Sequence, residues 1–127
     1  MKRILLICLA IILPVLFLYC IIPKSSVAGD DTVELILIYD EQDIHIILPD
    51  DEADQIRKAM NGNLFYLFPG TPACGFTKDY SFKIGNNFYA IAIDKCNTIM
   101  ECESERYFDV SEEEINYIHS LFQKYDR

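Results

Sequence analysis

The chain has 127 residues, 51 % of them hydrophobic, and carries 20 Asp and Glu against 11 Lys and Arg, a formal net charge of −9. From Gly29 onward the balance is 8 basic against 20 acidic residues, a net of −12, with no basic run. Such a segment lacks the footprint of a nucleic-acid binder or of a protein that rides on anionic lipid.

Lys2 and Arg3 open the chain, and Ile4 to Ile22 then runs 19 residues without a charge. As a helix, that run reaches about 28 Å, close to the hydrocarbon thickness of a bilayer. Pro14 inside it is no obstacle, because membrane helices tolerate proline. A cleavable signal core is usually shorter, about 7–15 residues, so length favours a retained anchor that partners the membrane through residues 4–22. The competing expectation is secretion, because Ser26-Val27-Ala28 after Pro23 offers small residues at the positions a signal peptidase reads. Cys20 is a poor lipidation site, since bulky Phe17-Leu18-Tyr19 stands where lipoprotein signals carry a small residue. Lys2 and Arg3 keep the start cytoplasmic by the positive-inside rule. Residues 1–28 are thus read as a membrane segment and residues 29–127 as one extracytoplasmic domain. A stretch of that length buries roughly two-thirds of its unfolded surface, enough for a single core and too little for two.

Cys8 and Cys20 fall within the apolar span, leaving Cys74, Cys96 and Cys102 outside. An odd count allows at most one internal bridge, which an oxidising compartment favours. If residues 97–101 are extended, Cys96 and Cys102 lie about 20 Å apart, beyond disulfide reach. Cys74–Cys96 is the preferred pairing, Cys74–Cys102 the next, and three buried thiols the third possibility.

Val33 to Tyr39 and Ile44 to Leu48 read as strands, with Asp40-Glu41-Gln42-Asp43 as the turn between them. Pro49-Asp50-Asp51-Glu52 opens a helix whose Ala53, Ile56 and Met60 share one face and which Asn61-Gly62 closes. A long connection runs from Asn63 to about Asp79. Tyr80, Phe82 and Ile84 alternate with Ser81 and Lys83, a strand with one wet face. Gly85-Asn86-Asn87 turns it into Phe88 to Ile93, apolar on both faces and therefore central. Strands Thr98 to Cys102 and Arg106 to Val110 follow. Ser111 with Glu114 forms a capping box, and Val110 against Ile115 a hydrophobic staple. The last helix buries Ile115, Ile118, Leu121, Phe122 and Tyr125. The expected fold is α+β: an N-terminal transmembrane helix, then a two-layer domain in the order β-β-α-loop-β-β-β-β-α, mainly antiparallel sheet with two helices. The strand–acidic cap–helix pattern at Ile47 to Ala53 returns 62 residues later at Asp109 to Ile115. Any strand-to-helix corner would look alike, so common chemistry explains it better than duplication.

Catalytic patterns are missing. The sequence has no nucleophile elbow, P-loop, dinucleotide fingerprint, C-x-x-C or H-E-x-x-H. His45 lies in a strand and His119 on the exposed side of the last helix, both read as structural or surface residues. Asp50, Asp51, Glu52 and Asp54 are dense, but a calcium loop needs alternating oxygen ligands and a glycine at its sharp turn. Helix capping accounts for them, as it does for Glu112 to Glu114. No catalytic residue, metal ligand or cofactor is expected.

The long connection is where recognition tends to reside. Leu64-Phe65-Tyr66-Leu67-Phe68 are five consecutive large apolar residues. Extended, they would divide into Phe65 and Leu67 on one face and Leu64, Tyr66 and Phe68 on the other. One face enters the core; the other either packs against a second layer of the same domain or stays open as anchors for a partner. Leu64, Tyr66, Phe68 and Phe76 are the candidate partner-binding residues.

Cys74-Gly75-Phe76, Asp94-Lys95-Cys96-Asn97-Thr98-Ile99, Tyr107-Phe108, Ser111-Glu112-Glu113-Glu114 and Leu121-Phe122-Gln123-Lys124-Tyr125 together resemble a pattern. It is that of small exported or membrane-anchored proteins of Gram-positive bacteria, with C-G-F and D-x-C-x-T-I ahead of a Y-F, S-E-E, L-F-x-K-Y tail. The resemblance spans residues 33–125 and carries no activity. It implies that Cys74 and Cys96 belong together and leaves Cys102 outside. The functional expectation is a non-catalytic protein-binding or inhibitor/immunity-like module whose partner is another extracytoplasmic protein. The alternative is a small enzyme or thiol-redox component using Cys102.

Overall fold

A computed structural model describes residues 1–67, 74–94 and 96–126. Helix α1 (Lys2–Ile21) is apolar all round and buries none of its residues against the rest of the chain. It is the one helix among the described residues long and apolar enough to cross a membrane. Strands β1 (Val33–Tyr39) and β2 (Gln42–Ile47) precede helix α2 (Asp50–Met60), and strands β3 (Phe76–Ile84), β4 (Asn87–Ala92), β5 (Thr98–Glu101) and β6 (Arg106–Asp109) precede helix α3 (Glu112–Tyr125). The strands form one antiparallel sheet in the order β2-β1-β3-β4-β5-β6. The α+β architecture and its element order follow the reading above.

Register explains the layers. Leu35 pairs with Phe82, Phe82 with Tyr89, Ile91 with Ile99 and Ile99 with Phe108. Side chains in such rows project to the same face of the sheet. These residues pack with Ala53, Ile56 and Met60 of α2 and with Ile115, Ile118, Leu121 and Phe122 of α3 into the buried core. Both helices therefore lie on one face. The Phe82 and Tyr89 rings stack at 5.5 Å between centroids, and Tyr80 meets Phe122 edge-on at 5.6 Å. β3 and β4 occupy the middle of the sheet, as the two-sided apolar pattern of β4 requires. Ile93 does not extend that strand; it is exposed, and its N–H donates to the Gly75 carbonyl.

Turns and caps set the corners. The first hairpin is tighter than expected, with only Asp40 (φ 48°) and Glu41 (φ 65°) outside the strands. Two left-handed residues match the twist of the flanking strands, so Gln42 and Asp43 already belong to β2. Gly85 (φ 59°) begins the β3–β4 turn, where an added Cβ would meet the Asp31 carboxylate at 3.2 Å. Ser111 caps α3 by accepting from the Glu114 N–H at 3.1 Å. α2 has Pro49 at the corresponding position and no side-chain cap. Its acidic first turn acts on the helix dipole, except for Glu52, which is buried and turned toward α3.

The chain between α1 and Gly29 is hydrogen-bonded into the domain. Ser25 is 3 % exposed; its N–H donates to the Asn63 carbonyl, its carbonyl accepts from Gly62, and its hydroxyl accepts from the Asn63 N–H. The Phe65 N–H donates to the Pro23 carbonyl, and the Tyr66 N–H to that of Tyr107. Residues 64–66 thus lie between the segment that follows α1 and the outer edge of β6, through bridges Lys24–Leu64 and Phe65–Phe108.

Cys74 and Cys96 form a disulfide with their Cα atoms 6.0 Å apart, tying the start of β3 to the β4–β5 turn. Cys102 is unpaired with another cysteine.

An ion pair between a nearly buried Glu52 and a solvent-exposed Lys124 joins the helices. Lys124 Nζ and the Tyr125 hydroxyl both donate to the Glu52 carboxylate. The Lys124 hydrogen bond is the main reason the Glu52 carboxyl sits below its ordinary value of 4.5, with Tyr125 adding to the effect and burial opposing it. A carboxyl whose folded pKa is depressed contributes stability that is complete above its unfolded value and lost as pH falls through the folded one. The midpoint of denaturant unfolding should therefore decline below about pH 4.5. Glu52→Gln should lower stability at pH 7 and flatten this acid limb; an unchanged limb would assign it to other carboxylates.

Candidate functional site

The sheet face opposite the helices carries no second layer among the described residues. Across it runs a register row of His45, Ile36, Ser81, Ala90, Met100 and Tyr107, one residue from each strand. The two central members are small and their neighbours are large. The result is a trough of about 570 Å³ floored by Ser81 and Ala90, flanked by Ile36 and Ile38 on β1 and Met100 on β5, with Phe76 and Phe88 toward its ends. Its volume and apolar lining, relieved by Asp43, Thr77, Ser81 and Cys102, are those of a ligand or peptide site. The register shift of β3 between Phe76 and Ser81 against β4 lets Phe76 face Ala92 at one end.

An aromatic strip leads from the β6 edge toward the trough. Tyr66 lies against Tyr107 at 6.3 Å between ring centroids, and Tyr107 against Phe76 at 5.6 Å. The Tyr66 hydroxyl donates to Asp109 Oδ1 at 2.5 Å and stands 3.1 Å from Thr98 Oγ1. Burial, with Asp109 adding to it, raises the Tyr66 phenol above its ordinary value, so it remains a neutral donor. Tyr66 is nevertheless 42 % exposed.

The four residues expected at a partner surface are thus unevenly placed. Tyr66 and Phe76 join one aromatic strip, Leu64 is 39 % exposed beside Lys24, and Phe68 lies outside the described residues. The expected division into alternating faces holds from Leu64 to Tyr66 and fails at Leu67. Phe65 is 5 % exposed, packed edge-on against Phe108 at 5.5 Å with the Arg106 guanidinium 3.9 Å from its ring centre, whereas Leu67 is 64 % exposed. Strand-like pairing ends at Tyr66, so alternation no longer governs Leu67.

Cys102 enters the site from the far side. Its thiol lines the trough, half-buried, and its N–H donates to the Phe88 carbonyl at 2.9 Å. Burial above all, and then Glu101 and Glu103, push the thiol above its ordinary value of 9.0. Activated thiols have the opposite environment, with cations or a helix N-terminus beside them. His45 is exposed and stands 3.4 Å from Glu34. His119 is half-buried rather than on an exposed side, because its imidazole lines a small cleft with Tyr80, Ile93 and Phe122. Among the described residues no three His, Cys, Asp or Glu side chains converge in a way that could hold a metal ion.

Sequence reasoning singled out Tyr66 and Phe76 but missed Ile36, Ser81, Ala90 and Met100. Their signal was the small residue at the wet position of each central strand, which acquires meaning only when register sets Ser81 beside Ala90. Comparison with known proteins finds no matching family model, no matching curated protein and no matching solved structure.

Proposed function

We propose that the protein is a non-catalytic protein-binding module, of the inhibitor or immunity kind, held at the outer face of a membrane. The observation that carries this reading is the sheet face left uncovered by the described residues, where the Tyr66–Tyr107–Phe76 strip runs into an apolar trough. Partly exposed aromatic side chains around a concave apolar floor are the usual anchors of protein interfaces. Bifunctional crosslinking on intact cells should link the full chain to an extracytoplasmic protein. Phe76→Ala and Tyr66→Ala should weaken that adduct several-fold while the domain stays folded, judged by an unchanged disulfide and a cooperative melt. Adducts that survive both substitutions would place the contact elsewhere.

The anchor is retained in this reading, with a single span and the domain outside. Support comes from Pro23, Ser25 and Val27: two are backbone partners of Asn63, Gly62 and Phe65, and the third packs on the core while its N–H donates to Asn61 Oδ1. Cleavage after Ala28 would strip these contacts. At roughly 1 kcal/mol for each lost hydrogen bond, discounted for fraying, a fragment beginning at Gly29 should be about 2 kcal/mol less stable than one beginning at Pro23. Equal urea midpoints would restore cleavage and secretion as the better reading.

The alternative, a thiol-redox component or small enzyme acting through Cys102, loses support from the acidic, half-buried setting of that thiol. Because its pKa is raised, the thiolate fraction at neutral pH is smaller than for an ordinary cysteine. Alkylation of Cys102 by iodoacetamide at pH 7.5 should therefore run slower than that of glutathione and accelerate only at more alkaline pH. Labelling faster than glutathione would revive the redox reading.

A further inference from the structure

The trough's shape and charge together specify what class of polypeptide it takes, an inference that rests on the binding reading above. From β1 to β5 are three strand spacings, about 14 Å, and an α-helix with its side chains is about 10–12 Å across. The floor of Ser81 and Ala90 leaves room for the large side chains of one helical face between Ile36 and Met100. The opposite face of this sheet already carries two helices in that manner, α2 and α3.

Charge narrows the occupant further. Asp43 lines the trough on the β2 side, and Glu103 directly follows Cys102, which lines the opposite side. Glu34 lies on the same face as Asp43. Among the described residues the facing cation is Lys83, which pairs in register with Glu34 and sits 5.6 Å from the centre of the Phe88 ring. An anionic lipid headgroup or a second copy of a domain of net charge −12 would be repelled. α2 and α3 of such a copy each begin with three acidic residues and have their apolar faces buried. We infer that the trough receives the apolar face of a cationic amphipathic helix presented by another extracytoplasmic polypeptide. Leu, Ile or Phe at i, i+3, i+4 and i+7 of that helix fill the space over Ser81 and Ala90, and its flanking Lys or Arg meet Asp43 and Glu103.

The test uses the full chain in phosphatidylcholine nanodiscs and a fluorescent helical peptide of about 14 residues, built of Leu at those spacings and Lys elsewhere. Anisotropy should report saturable binding above that of empty nanodiscs. A peptide with Glu in place of Lys should bind at least about tenfold more weakly. Ala90→Leu fills the floor without touching the helix-side core and should weaken the Lys peptide about tenfold with the melting temperature preserved; Ser81→Leu serves as an independent second filling. Undiminished affinity in both filled variants would reduce the attraction to bulk charge and overturn the inference. So would equal binding of the Glu peptide, or binding of phosphatidylglycerol vesicles that the fillings abolish. If the fillings erase the cellular crosslink but the parent ignores the Lys peptide, the binding reading stands and the cationic helix falls. If the fillings change neither, both fall.

Discussion

The stacked pair of Phe82 and Tyr89, one from each central strand, is the contact on which the domain is arranged. Both are fully buried beneath the helices, and Leu35, Ile91 and Phe108 continue the same layer outward. Because successive side chains on a strand point to opposite faces, placing large rings toward the helices commits Ser81 and Ala90 to the other side. The sheet is thus thick on one face and hollow on the other, and both properties follow from a single alternation along β3 and β4. Shifting either strand by one residue would turn Phe82 or Tyr89 into the trough and Ser81 or Ala90 into the core.

The edges of the sheet are treated differently. On one side β2 is the outermost strand, with Asp43, His45 and Ile47 facing away from the helices. Charged and imidazole side chains there discourage edge-to-edge pairing. On the other side β6 is covered by residues 64–66, which are covered in turn by Pro23 to Ser25. The chain that follows α1 is therefore held to the domain by backbone hydrogen bonds rather than left as a free tether.

The disulfide and the Glu52–Lys124–Tyr125 cluster act at opposite faces of the domain. The bridge closes a loop of sequence separation 22 and holds the start of β3, and with it Phe76, against the β4–β5 turn. In the chain-entropy account, a loop of that size contributes roughly 3 kcal/mol by limiting the unfolded ensemble. The Glu52 cluster works in the folded state, joining α2 to α3 across 72 residues of sequence. Its lysine is exposed to solvent, so the ion pair itself is screened and contributes modestly.

Much of this protein was legible in the chain as written. Alternation at Tyr80 to Ile84, the capping box at Ser111 and Glu114, and the charge-free run after Arg3 are local features whose physics acts within a few residues. They determined element order, the two-layer α+β class and the apolar N-terminal helix; Cys74–Cys96 was the preferred of three cysteine arrangements left open. Other features depend on which distant residues become neighbours, and only the tertiary structure decided them. The trough exists because register sets Ser81 beside Ala90 between Ile36 and Met100, drawing on four strands. Phe65 is buried and Leu67 exposed because β6 pairs no further than Tyr66, a limit set by the partner strand. Ser25, and Val27 within the Ser26-Val27-Ala28 stretch that offered a cleavage signal, became part of the fold once Asn61 to Phe65 came alongside. Local propensity acts through neighbours in sequence, whereas a binding surface is assembled from neighbours in space.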